Sequence, residues 1–186
     1  MPLVRRLDNR GPMNRRSHCL AWAAAGLLTA CSPALDWREV RPEAGGITLL
    51  FPCKPDHQAR RLSLAGAEVR LVLHACNAGG ATFALAFADV GDPAKVTPAL
   101  TELEAATRRN MAASAPERLT LKVEGATPNA QSQRGSFRGR MPDGRAVVGQ
   151  TAVFAKGTRV YQATLIGERI GIEAADTFFA NLRPGP

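Results

Sequence analysis

Thr82-Phe83-Ala84-Leu85-Ala86-Phe87-Ala88-Asp89 decides the fold. Side chains alternate across a strand, so Phe83, Leu85 and Phe87 take one face and Ala84, Ala86 and Ala88 the other. Apolar groups on both faces mark a central strand, and the alanine face lets a helix approach closely. Toward the N-terminus, Gly79-Gly80 makes a turn after Glu68 to Ala75. There Val69, Leu71 and Leu73 face one way, and Arg70, Val72, His74 and Cys76 face the other. Arg60 to Leu64 pairs with this arm around Ala65-Gly66-Ala67 as a hairpin, and Ile47 to Phe51 reads as a strand stopped by Pro52.

Toward the C-terminus, Pro98 to Ala113 reads as a helix. Thr97 suits its cap and Pro98 its first position. Leu100, Leu103, Thr107 and Met111 form one stripe, with Glu102 and Glu104 early and Arg108 and Arg109 late, as the helix dipole prefers. Leu119 to Glu124 follows as a strand, then an antiparallel section from Gln133 to Ile166 with turns at Asp143-Gly144 and Lys156-Gly157-Thr158. Ile172, Ala175, Phe179 and Leu182 make a last amphipathic stripe ended by Pro184, with Phe178 and Phe179 read as core. Strands, helix, strands, helix is an α+β order: a mostly antiparallel sheet of about six or seven strands packed by two main helices. It forms a single domain over residues 47–184.

Before this domain, Arg15-Arg16 precedes Leu20-Ala21-Trp22-Ala23-Ala24-Ala25-Gly26-Leu27-Leu28, which runs into Leu28-Thr29-Ala30-Cys31. A basic segment, a short apolar one and small residues before a cleavage point form the pattern of an export signal. Fourteen residues without formal charge separate Arg16 from Cys31, fewer than the roughly 17 to 25 that cross a bilayer. Leu28-Thr29-Ala30-Cys31 resembles the lipobox of bacterial lipoproteins. The resemblance implies that residues 1–30 are a signal peptide and that Cys31, carrying a diacylglyceryl group, is the first mature residue. An ordinary cleaved signal peptide is the alternative. Met13 offers a second start, so residues 1–12 read as an over-long beginning. Arg15-Arg16 is similar to a twin-arginine signal, but His18-Cys19 stands where that motif is apolar. Ser32 resembles the residue after the cysteine in lipoproteins sent to the outer membrane rather than retained at the inner one. Residues 31–46, with prolines, charges and Trp37, read as a tether.

Removing the leader changes the charge and the cysteine arithmetic. Of 24 basic and 16 acidic residues, residues 1–30 take five arginines and one aspartate, so the formal +8 falls to +4. That excess suits an anionic membrane surface or an acidic partner and falls short of a nucleic-acid footprint. Export also separates the domain from nucleotide pools. Cys53 and Cys76 remain as a pair in an oxidising compartment, where a disulfide is the default. The competing reading is a zinc or copper site from Cys53, His57, His74 and Cys76, since Cys and His are metal ligands and His74-x-Cys76 points both side chains one way.

Catalytic readings are weak. Only His57 and His74 would supply an imidazole, and no Gly-x-Ser-x-Gly accompanies them. Asp89 and Asp92 are a conceivable acid/base pair but read more simply as a strand end and the Asp92-Pro93 turn. Arg134, Arg138 and Arg140 share a strand face, with Arg145 across the turn. Such a stripe would hold phosphate or lipid headgroups, while a solvated face gives the same pattern. No Gly-rich phosphate loop is present.

The segment Phe51-Pro52-Cys53-Lys54-Pro55, the Phe83-to-Asp89 strand leading into a helix, the Asp143-Gly144 hairpin and Phe178-Phe179-Ala180-Asn181-Leu182 resemble small exported proteins of the PsbP-like type. That resemblance implies a binding or assembly factor and brings no catalytic motif. The expectation is therefore a lipid-anchored, non-enzymatic envelope protein facing the periplasm, with a membrane and an envelope protein as partners and no cofactor. A metal-handling lipoprotein is the first alternative, and an enzyme with an unrecognised site the second.

Overall fold

A computed structural model describes residues 34–185 of the protein. The expected signal segment and Cys31 lie outside the described residues. The elements run β1 (Arg38–Val40), β2 (Ile47–Phe51), β3 (Asp56–Leu64), β4 (Ala67–Ala78), β5 (Ala81–Asp89), α1 (Pro93–Asn110), β6 (Glu117–Leu119), β7 (Gln133–Arg140), β8 (Ala146–Lys156), β9 (Arg159–Gly167), α2 (Ile172–Ala180) and β10 (Arg183–Pro184). Seven strands form one sheet in the order β3-β4-β5-β9-β8-β7-β6, and β1-β2-β10 form a second. Every pairing is antiparallel. The protein is α+β, as the alternation of strands and helices predicts.

Strand β5 is an interior strand, third in the seven-strand order and hydrogen-bonded to β4 and β9. Its phenylalanine face joins Leu49, Phe51, Phe154, Tyr161, Phe178 and Leu182 in the larger core, beneath the small sheet and α2. On the other face Ala88 lies in a second core with Val96, Ala99, Leu100 and Leu103 of α1. The large sheet is thus covered on both sides, which is why apolar residues occupy both registers of β5. Each fully buried aliphatic or aromatic side chain here is worth about 1.5–3 kcal/mol.

Helix α1 starts five residues earlier than its sequence predicts. Two cap-proline pairs compete, Asp92-Pro93 and Thr97-Pro98. The first prevails because the Asp92 carboxylate accepts the Ala94 N–H at 2.9 Å, Pro93 begins the helix, and the added turn buries Val96. Pro98 is accommodated inside the helix, and Thr97 accepts a hydrogen bond from Asn129 instead. The helix ends at Asn110, and Ala112 follows in the left-handed region.

Three further expectations are corrected. The segment read as a tether is part of the fold from Leu35 onward: Leu35, Trp37 and Val40 pack on the larger core, Trp37 edge-on to Phe83 at 5.9 Å. Three apolar groups beside an open aromatic core are buried rather than left in water. The strand predicted over Leu119 to Glu124 lies earlier, as β6 over Glu117–Leu119, and shares only Leu119 with the prediction, because its partner β7 begins at Gln133 and the ladder stops at Arg134. Beyond it, Leu121 and Val123 pack as irregular chain. In α2, Ile172 is 80% exposed, while Ala175, Phe178, Phe179 and Leu182 are buried. The first turn of α2 overhangs the core, and Phe178 takes the place expected for Ile172.

Candidate functional site

The β3–β4 hairpin builds the site. Ala65 and Gly66 both have positive φ, 50° and 69°, the requirement of a two-residue turn that matches strand twist. Leu64 pairs with Ala67, and this register sets His57 directly across from His74. The imidazoles stack at 5.5 Å, and His74 stacks in turn near Phe87 at 6.1 Å. The hairpin tip is held on α1, where Glu102 accepts the Ala65 N–H at 2.7 Å and Lys95 donates to the Gly66 carbonyl at 3.2 Å.

The histidine pair lies in a cleft of about 620 Å³ between this hairpin and the chain from Arg38 to Ala44. The far wall is set by a turn in which Gly45 donates to the Pro42 carbonyl at 3.0 Å. Buried Tyr161 anchors that turn by donating its hydroxyl to the Gly45 carbonyl at 2.8 Å. Gly46, at φ 57°, leaves room for the Arg159 guanidinium, which would collide with a side chain there. Arg38, Arg41, Lys54 and Arg70 line the cleft with Glu39 and Glu43. Burial first, and the neighbouring His57 second, hold the His74 pKa below the ordinary imidazole value.

Cys53 and Cys76 form a disulfide with Cα atoms 6.1 Å apart. Cys53 follows β2 of the small sheet and Cys76 lies in β4, so the bond ties the two sheets together beside the cleft. This corrects the Cys53, His57, His74, Cys76 metal reading, because both sulfurs are bonded to each other and no thiolate remains to ligate. Among the described residues no group of three or more His, Cys, Asp or Glu side chains is placed to share a metal ion.

Of the arginine stripe, Arg138 and Arg140 line one cleft with Glu168, while Arg134 is drawn away from them. Arg134 lies 4.3 Å over the Phe179 ring, bonds Gln150 at 2.6 Å and reaches Asp176 at 3.5 Å. Its burial lowers its pKa against the pull of Asp176. Arg140 donates to the Gly144 carbonyl and Arg145 pairs with Asp143. Arg138 stays exposed above a separate cleft with Ser136 and Gln150. Asp89 and Asp92 are also structural. Asp89 accepts from Thr158 at 2.7 Å and from the Gly91 N–H at 2.9 Å, which together hold its pKa down.

Sequence reading named the two histidines but missed Arg38, Arg41, Lys54 and Arg70. A signal for the histidine pairing was present. A two-residue turn at Ala65-Gly66 places 57 opposite 74 by counting back along both arms, provided the first arm extends to Asp56 rather than starting at Arg60. Compared with protein-family models and with curated proteins, the chain matches none.

Proposed function

We propose that this protein is a lipid-anchored cell-envelope module that binds a partner or ligand and performs no chemistry on it. Cys31 carries the acyl chains, and the body described here faces the periplasm, from the outer rather than the inner membrane as Ser32 suggests. The observation that carries the reading is the Cys53–Cys76 disulfide. Such bonds persist outside reducing compartments, which agrees with the basic, apolar and small-residue order of the leader. Two or more acyl chains make anchoring durable where one is marginal. The cleft beside the disulfide supplies a concave, charged surface for binding, and the PsbP-like resemblance points to the same class.

Mass spectrometry of the N-terminal peptide from membrane-purified protein tests the anchor. Acylated Cys31 is expected, together with loss of membrane attachment in Cys31→Ser. An unmodified Cys31 thiol, or a Cys31→Ser variant processed and retained as usual, overturns it. Cross-linking in intact envelopes tests the binding role by recovering a partner whose capture is lost when cleft residues are replaced.

A further inference from the structure

Charge in the cleft is uncompensated. Four cations, Arg38, Arg41, Lys54 and Arg70, line it with Glu39 and Glu43, and Asp36 beside the lining pairs with Arg38, which leaves an excess of one positive charge carried by Lys54 and Arg70. Arg38 is paired with Asp36, and Arg41 with Glu39 at 2.7 Å. The side chains of Lys54 and Arg70 take part in no hydrogen bond or ion pair among the described residues, and Arg70 stands directly across the ladder from Arg61. Like charges opposed on neighbouring strands repel. This sheet face carries Arg61 and Arg70 with Glu68 and the His57–His74 pair, so positive charge predominates over the one carboxylate there, and at a concave surface it draws anions. The cleft also has an apolar wall, including Pro55 and Val72, suited to the uncharged part of a ligand.

We propose that this cleft binds a phosphate ester, with Lys54 and Arg70 contacting the phosphate oxygens above the His57–His74 floor. Guanidinium and ammonium groups are the usual partners of phosphate, arginine in a bidentate fashion. The inference deepens the binding-module reading by naming the ligand class of the same cleft. Arg38 lies seven positions after Cys31, a reach of at most about 25 Å. A lipid headgroup is therefore accessible to an anchored protein, as is a soluble phosphate ester.

The test uses membrane-purified protein in neutral detergent micelles, titrated with glycerol 3-phosphate while the ring resonances of His57 and His74 are followed by NMR. Both histidines should shift together and saturate. Lys54→Ala with Arg70→Ala should weaken binding about tenfold or more, the scale of one charge-assisted hydrogen bond. Arg108→Ala with Arg109→Ala, on α1 across the sheet, removes the same charge and should leave the affinity essentially unchanged. Unmoved histidine resonances, or equal weakening by the α1 pair, would overturn the proposal. Micelles doped with phosphatidylglycerol or with phosphatidylcholine identify the source. Shifts with phosphatidylglycerol that free glycerol 3-phosphate competes away assign a headgroup, and shifts with the soluble ester alone assign a soluble ligand. The Cys31 mass is read on the same sample, so a failed titration of acylated protein refutes the ligand class and leaves the anchor standing.

Discussion

At the scale of single residues, His74 and Gly149 show how a neighbour's identity sets a property. Folded His74 takes up a proton less readily than the unfolded chain does, because burial and His57 disfavour the imidazolium. Its contribution is therefore intact above about pH 6.5 and is lost as pH falls below that toward the folded pKa. His74→Gln should flatten the acid limb of a denaturation-midpoint profile taken from about pH 7.5 to about pH 5, and parallel limbs in variant and parent would contradict this. Gly149 pairs with Phe137 across β7 and β8, and the Phe137 ring lies where a Gly149 Cβ would stand. Gly149→Ala should cost about 1–3 kcal/mol as the ring is forced aside, read from urea midpoints. A neutral result would mean that the ring has room to turn.

At the scale of elements, β3 and β4 depend on a turn whose first residue is poorly suited to it. Ala65 at φ 50° accepts a backbone region that L-residues with a Cβ disfavour by about 1–2 kcal/mol. Asn is tolerated there far better, and Asn-Gly is the favoured pair for this turn. Ala65→Asn should raise stability by about 0.5–1 kcal/mol, and the Glu102 contact is kept because it uses the backbone N–H. Thermal unfolding measures this, and destabilisation would show that the turn type is misassigned. The α1 start is an element-scale lesson of another kind. Asp92-Pro93 and Thr97-Pro98 are equally good local signals, and the burial of Val96 against the sheet favours the earlier one. Nothing within five residues of either pair carries that information.

At the scale of the whole molecule, the disulfide links the small sheet to the large one across 23 residues of chain. Reduction should destabilise the fold by about 3 kcal/mol on the chain-entropy account, a fall of roughly 6–12 °C in Tm for a domain of this size. Thiol titration of unreduced, unfolded protein should find neither Cys53 nor Cys76 reactive. Two free thiols there would remove the main support for an oxidising location.

The alternating residues of β5, the Asp143-Gly144 and Lys156-Gly157 turns and the α+β order could all be read from short-range pattern, since period and turn chemistry are set by neighbours in the chain. The two cysteines were legible as a default pair. The cleft was not. Lys54, His57, Arg70 and His74 become neighbours through hairpin register, while Arg38 and Arg41 meet them only because Trp37 and Leu35 bury against the phenylalanine face and carry the supposed tether into the fold. Likewise, Arg134 left the arginine stripe because α2, about 40 residues on, brings Phe179 and Asp176 to it. Local propensity specifies which segments are strands and helices, whereas burial between distant segments selects which side chains end up sharing a surface.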